Sequence, residues 1–289
     1  MTNYRGRFAP TPSGSLHFGS LFAAVVSYLE AKQHQGKWLV RIDDIDPPRE
    51  QPGASDDILR TLEAHGLFCD ESVVYQSQQS ALYEYRLEQL FQQNCLFWCN
   101  CSRKDLAGQP VYPGTCRKYH HPREHCAIRV SINSEHDQYF DQFQGNQLSN
   151  PKRDCGDVIL KRRDQHYAYQ LAVAADDIEA RISHVIRGID LMPSTWWQRA
   201  LYQLWQVPLP VYGHFAVIHP VNSDQKLSKQ NLARTLNNNQ AEQNLHKVLQ
   251  LLAIPVERDS CCRMLSQAIT MYQPNQLAKK QILTLENMD

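Results

Sequence analysis

The strongest constraint on this chain is the alternation of strand and helix signals from Tyr4 to Gln93. Tyr4–Phe8 reads as a short strand that breaks at Pro10 and Pro12, and from Gly19 to Gln35 the residues Leu21, Phe22, Val25, Val26 and Leu29 recur at helical spacing. Lys37–Ile42 reads as a second strand. Ser55–His65 reads as a helix with Ser55 as its N-cap and Gly66 at its end. Val73–Tyr75 and Ala81–Gln93 repeat the pair. Strands separated by helices cannot pair through tight turns, so this order predicts a parallel sheet with crossover helices, an α/β nucleotide-binding architecture.

The rhythm then stops. Cys95 to about Cys126 is rich in Cys, His, Tyr, Pro and Arg without a clear period, and Asn133–Asp154 reads as loops or an edge hairpin. Asp157–Lys161, Tyr167–Ala174, Ile182–Ile186 and Val211–Ile218 read as further strands. Helices are expected near Asp176, over Thr195–Trp205 and throughout the chain after Asn237. The expected division is therefore 1–94 as the first half of the sheet domain, 95–156 as an insertion and 157–219 as the second half. A loop and a C-terminal helical subdomain would occupy 220–289.

Composition removes several classes. Thirty basic residues balance thirty acidic ones, and 42% of the chain is hydrophobic against 21% charged. A disordered chain would carry less apolar surface and more net charge. A protein that grips nucleic acid by bulk charge would be basic, so any RNA contact must gather its cations on one face. Met1 to Arg7 lacks the apolar core of an export signal, and the apolar stretch Phe18–Leu29 falls short of the ~20 residues of a membrane span. A soluble cytoplasmic protein with no membrane partner is expected, and a monomer. Nine cysteines, an odd number in a chain long enough to build its own core, point to metal ligation rather than disulfides.

Chemistry concentrates in two places. Arg7-Phe8-Ala9-Pro10-Thr11-Pro12-Ser13-Gly14-Ser15-Leu16-His17-Phe18-Gly19 joins the first strand to the first helix, and in open α/β sheets ligands sit outside such carboxyl ends. The unpaired N–H groups at the start of the next helix favour phosphate; His17 could donate to a phosphate oxygen, and Gly19 leaves room for a flat base. Late in the chain, Lys226-Leu227-Ser228-Lys229 sets two lysines around a serine in a polar stretch, a pattern able to close on a triphosphate and offset charge as it develops.

Ser15–Gly19 resembles the HIGH signature of class I aminoacyl-tRNA synthetases, and Lys226–Lys229 resembles their KMSKS loop. Arg7–Ser13, Arg41-Ile42-Asp43-Asp44-Ile45-Asp46-Pro47-Pro48-Arg49-Glu50, Tyr169 and Arg187-Gly188-Ile189-Asp190-Leu191 narrow the likeness to the glutamyl branch. It extends from about Tyr4 to Leu236. The Asp-Ile-Asp-Pro-Pro-Arg-Glu and Lys-Leu-Ser-Lys-Gln-Asn wording, in a sequence that ends where a full glutamyl-tRNA synthetase would be expected to continue into an anticodon-binding helical domain, is similar to the truncated paralogues that place glutamate on the queuosine base of tRNA(Asp). The resemblance implies a Rossmann-like (HUP) catalytic domain with a small zinc-binding insertion. It also implies activation of L-glutamate with ATP and Mg²⁺ in the absence of tRNA, followed by transfer to the queuosine-bearing anticodon arm of tRNA(Asp). His17, Gly19, Lys226 and Lys229 would be catalytic, with His17, Gly19, Ser228 and Lys229 at ATP. A small-molecule nucleotidyltransferase of the same fold, or a non-catalytic glutamate sensor derived from a synthetase, are the competing readings.

A dicarboxylic amino acid needs two cationic contacts and one anionic one, and guanidinium–carboxylate pairs supply both strength and geometry. The resemblance implies that Arg7 holds the side-chain carboxylate, with Phe8, Ala9, Pro10 and Thr11 beside it, and that Tyr169 and Arg187 line the substrate. Asp43 would hold the ammonium, where the family usually carries the longer Glu. The alternative for the two arginines is a structural ion pair with Asp44, Asp46 or Asp190.

Cys99-x-Cys101 and Cys116 have zinc-ligand spacing, and a tetrahedral ion needs a fourth donor. Ligand chemistry favours Cys126, His120, His121 or His125 over a phenol of pKa near 10. The resemblance implies Tyr112, in a set Cys99, Cys101, Tyr112 and Cys116 around one structural Zn²⁺. For RNA, Lys161-Arg162-Arg163, Arg117-Lys118 and Lys279-Lys280 are the cationic candidates.

Overall fold

The computed structural model describes residues 4–119, 121–220 and 235–285. In chain order the first half comprises β1 (Arg5–Phe8), α1 (Phe18–Gln33), β2 (Lys37–Ile42), α2 (Ala54–Ala64), β3 (Val74–Tyr75) and α3 (Ser80–Gln92). The middle comprises β4 (Leu96–Cys99), β5 (Ala127–Val130), β6 (Asp137–Asp141), β7 (Gly145–Ser149), the short α4 (Pro151–Asp154) and β8 (Val158–Lys161). Then come α5 (Tyr169–Glu179), β9 (His184–Gly188), α6 (Met192–Leu204), β10 (Val211–Phe215), β11 (Val217–Pro220), α7 (Ala241–Leu251), α8 (Cys261–Met271) and β12 (Ile282–Leu285).

β1, β2 and β3 pair in parallel, as the alternation predicts. β9 and β10 are also parallel, and β6 joins β10 with β7 folded back on it as the expected edge hairpin. The two sheets meet at β1 and β9, where the Ser183 amide donates to Arg5 O at 3.0 Å and the Arg5 amide donates to Ser183 Oγ at 2.9 Å. Strand order therefore runs outward from this seam in both directions, β2 and β3 on one side and β10 and β6 on the other. A crevice at the carboxyl ends of the strands is the geometric result of such a reversal. A separate antiparallel sheet, β4-β5-β8, carries the cysteine-rich segment.

α1 is apolar on most of its circumference because it is covered on both sides. Leu21, Val25 and Leu29 share one core with Trp38 and Val40 of β2, and with Leu245, Leu249, Met264 and Leu265 of α7 and α8. The C-terminal helices thus continue the main core.

Four local expectations differ from the structure. Tyr167–Ala174 does not continue as a strand: Tyr169–Glu179 is helical. Leu171 to Asp177 are buried without interruption, so the helix shows no polar stripe and its short apolar run imitates a strand. α2 starts one residue before Ser55 and is preceded by Gly53 at φ 77°, so Ser55 is not its N-cap. Val211–Ile218 divides at Ala216 into β10 and β11. The C-terminal region also contains a strand, β12, which pairs in parallel with β11.

Candidate active site

A cleft of about 440 Å³ opens where the carboxyl ends of β1, β9 and β10 meet the start of α1. Its walls include Arg7, Phe8, Ala9, Pro10 and Thr11 from the β1 exit, and His17 and Gly19 from the α1 start. Asp43, Tyr169 and Arg187 complete them. Every candidate glutamate contact therefore lies on one cavity, together with the HIGH-like histidine. Lys226, Ser228 and Lys229 lie outside the described residues.

The loop from Ala9 to Leu16 is pinned by its backbone. The Asp43 amide donates to Pro10 O at 2.9 Å, the Gln51 amide donates to Pro12 O at 3.0 Å, and Ser13 N donates to Thr11 O at 2.8 Å. Gly14 sits at φ 124°, a conformation that side chains strain against. His17 is the N-cap of α1: Nδ1 accepts from the Ser20 amide at 3.3 Å, and Nε2 lies 3.0 Å from Ser20 Oγ. Thr235 forms a β-bridge with His17, and the Leu236 amide donates to Leu16 O at 3.1 Å. Val217 and Ile218 also line the cleft. Thr235 and Leu236 thus contact two residues, His17 and Leu16, that line the cleft.

Arg7 is buried and ion-paired, but not with Asp44, Asp46 or Asp190. Its partner is Asp177 of α5, with Nε 3.2 Å from each carboxylate oxygen. Asp177 also accepts from Arg41 Nη1 at 2.6 Å, and Arg41 Nε donates to Asp43 Oδ1 at 2.7 Å. Burial acts to raise the Asp177 pKa, yet Arg7 and Arg41 outweigh it and hold the carboxyl below its usual range. Asp43 goes the other way: burial lifts it, with Arg41 offsetting only part. Asp176, bonded by Gln76 Nε2 at 2.7 Å and Tyr83 Oη at 2.9 Å, is pushed up by burial to about 7. Asp44 and Asp46 face away from this network, toward Ser77 and Arg49.

Arg187 is held differently. Its Nε donates to His214 Nε2 at 3.1 Å and its Nη2 to Thr195 Oγ1 at 2.9 Å, while Nη1 is buried without a hydrogen-bond partner among the described residues. Asp177, Thr195 and His214 are not singled out by the sequence, and Arg41 enters there only as the first residue of the glutamyl-branch motif. One signal was present, since adjacent acids inside an apolar helical run, Asp176-Asp177, must find cations when buried.

In the insertion, the Sγ atoms of Cys99, Cys101 and Cys116 lie within 4.8 Å of one another. The Tyr112 hydroxyl is 3.5 Å from Cys99 Sγ and 3.8 Å from Cys101 Sγ. The three sulfurs have separations suited to an ion at the ~2.3 Å distance of a zinc–thiolate bond, and the Tyr112 hydroxyl lies beside them, accepting the Cys116 amide at 2.9 Å. Cys126 is buried but does not join the three-cysteine group, and His120 lies outside the described residues. Among the cationic candidates, Arg117 is taken by the buried Asp157, Lys161 pairs with Glu84 at 2.7 Å and Arg162 with Asp164 at 2.6 Å.

Residues 3–283 match the family of class I tRNA synthetases (E and Q), catalytic domain. The chain belongs to the class I tRNA synthetases. Within them it groups with the glutamyl-Q tRNA(Asp) synthetases. It is 44% identical to that of Acinetobacter baylyi over 277 residues, covering 96% of this chain and 94% of the relative. It is 46% identical to that of Idiomarina loihiensis over 258 residues, covering 89% and 90%. Among solved structures, a glutamate tRNA ligase of Elizabethkingia meningosepticum, in complex with its amino acid, superposes with a TM-score of 0.82 at 23% identity. That match covers 96% of this synthetase and 66% of the larger enzyme, and it establishes the shared fold. Among the described residues no helix of the synthetase is long and apolar enough to cross a membrane.

Proposed function

We propose that this synthetase activates L-glutamate with ATP in the β1/β9 cleft, without tRNA, and transfers it to the queuosine base in the anticodon arm of tRNA(Asp). The observation that carries the reading is the convergence of Arg7 and Arg187, far apart in sequence, on the cavity that also holds His17. A dicarboxylic substrate calls for such a pair of guanidinium groups, and the curated relatives are named for glutamyl-Q and tRNA(Asp).

In this mechanism no protein nucleophile is needed. Arg7, steadied by Asp177, meets the side-chain carboxylate; Tyr169 and Arg187 border the rest of the amino acid; Asp43 faces its ammonium. The glutamate α-carboxylate attacks the α-phosphorus of ATP, pyrophosphate leaves and glutamyl-adenylate forms. His17 and the first N–H groups of α1 receive the phosphates, and Gly19 leaves space for the adenine. Lys226 and Lys229, with Ser228, would complete the charge balance around the triphosphate, with Mg²⁺ carried by ATP. Catalysis is then alignment and charge stabilisation. A hydroxyl of the queuosine cyclopentene ring next attacks the adenylate carbonyl, forming the ester and releasing AMP. Cys99, Cys101, Tyr112 and Cys116 would hold one Zn²⁺ whose contribution is to fix the insertion. The site of action would be the cytoplasm, and the working form a monomer.

The test is a charging assay with labelled glutamate. Label should attach to tRNA(Asp) bearing queuosine and not to unmodified tRNA(Asp) or tRNA(Glu). Equal labelling of the unmodified tRNA would reject the queuosine acceptor.

A further inference from the structure

Arg187 and His214 are register partners on β9 and β10, so their side chains leave the sheet side by side. The Arg187 Nε always carries a proton, and it donates to His214 Nε2 at 3.1 Å. His214 Nε2 must therefore present its lone pair, and the ring proton must sit on Nδ1. Asp141 enforces that tautomer. Its Oδ2 lies 2.5 Å from His214 Nδ1, and its Oδ1 accepts the amides of Phe143, Gln144 and His214, each at 3.0 Å. Asp141 and His214 are both wholly buried. Thr195 Oγ1, 3.1 Å from His214 Nε2, closes the arrangement by accepting from Arg187 Nη2.

This chain of polar groups ends on Arg187 Nη1, which is buried beside the cleft and has no hydrogen-bond partner among the described residues. We propose that Asp141 and His214 form a positioning pair that fixes the imidazole tautomer and so aims the free edge of Arg187 at a carboxylate of the substrate. The proposal rests on the glutamate reading of the cleft. The mechanism is one of donor and acceptor matching. With the proton on Nε2, the imidazole would turn a donor toward the Nε–H of Arg187, and the guanidinium would lose the contact that fixes its rotation. A cationic ring would add charge repulsion to the same mismatch.

The pair is tested through Asp141→Asn, His214→Leu and His214→Gln in glutamate-dependent ATP–pyrophosphate exchange, with glutamate and ATP varied separately. In Asp141→Asn the new amide donates to Nδ1 and drives the ring proton to Nε2. The KM for glutamate should rise by about tenfold to a hundredfold, as expected for loss of a hydrogen bond to a charged group, with the KM for ATP unchanged. His214→Leu should act in the same direction, and His214→Gln, whose Oε1 can replace Nε2 as acceptor, should recover most of that loss. An unchanged glutamate KM in the Asn and Leu variants would overturn the proposal. So would parallel increases for ATP and glutamate with no advantage of Gln over Leu. If Asp141→Asn fails to fold, the Leu–Gln comparison gives the answer. Nitrogen-15 NMR of histidine-labelled wild-type protein reads the tautomer with no substrate present: an unprotonated His214 Nε2 supports the pair, and a protonated one refutes it. A failure of the glutamate reading, seen as no glutamate-dependent exchange in the wild type, is thereby distinguishable from a failure of the pair.

Discussion

Asp177 accepts a 2.6 Å hydrogen bond from Arg41 Nη1, and the same carboxylate holds Arg7 at the edge of the cleft. One acid on α5 thus orders two cations from β1 and β2, and a third strand-end residue, Asp43, is tied in through Arg41. The arrangement leaves Arg7 anchored before any substrate arrives, which reduces the ordering cost of binding.

Removing that acid strands the buried Arg7 guanidinium and takes one partner from Arg41, which keeps Asp43. Asp177→Ala should lower unfolding stability by about 3–5 kcal/mol, the usual cost of breaking a buried ion pair from one side. Urea denaturation at neutral pH reads the loss. A loss under about 1 kcal/mol would show that Arg7 and Arg41 find other partners or water.

Asp176 gives a pH signature. Its folded pKa, about 7, lies above the value near 4 expected when unfolded. Between these values the folded state holds a proton that the unfolded state has released. The contribution of Asp176 to stability is therefore full at low pH and declines as pH rises from about 4 to 7. Asp176→Asn should remove this downward component, so the difference in stability between variant and wild type should vary across that window. A constant difference would contradict the assignment.

The cysteine group predicts about one zinc ion per chain, lost in Cys101→Ser and weakened in Tyr112→Phe. Cys126→Ser should leave the metal content unchanged, because Cys126 stands apart from the other three sulfurs. Elemental analysis of the purified variants separates the two ligand sets: metal loss in Cys126→Ser with retention in Tyr112→Phe would exchange their roles.

Lys229→Ala should abolish glutamate-dependent exchange while leaving the thermal midpoint in place. Full activity in that variant would remove the KMSKS-like segment from the mechanism.

Much of this architecture is legible in the residues alone. The first three strands and their helices, the cysteine spacing and the order of Arg7, His17, Tyr169 and Arg187 all follow local patterns that survive folding. What escapes is set by tertiary context. α5 hides its helical period because both its faces are buried, so Tyr167–Ala174 imitates a strand. β12 is a four-residue strand whose existence depends on the exposed edge of β11. The setting of Arg187 comes from tertiary structure: its partner His214 faces it across β9 and β10, Asp141 reaches His214 from β6, and no sequence spacing brings the three together. The ion-pair partner of Arg7 escapes for a related reason: Asp44 and Asp46, offered as the alternative, point toward Ser77 and Arg49, and the acid that reaches Arg7 is Asp177 on α5.

The central claim, that Arg7 and Arg187 hold a dicarboxylic amino acid against ATP, is tested most directly by exchange of labelled pyrophosphate into ATP in the absence of tRNA. The account predicts exchange that requires glutamate, is not supported by glutamine, and falls by about a hundredfold or more in Arg187→Leu with the fold retained. Exchange that proceeds without an amino acid, or that survives Arg187→Leu at the wild-type glutamate KM, would contradict it.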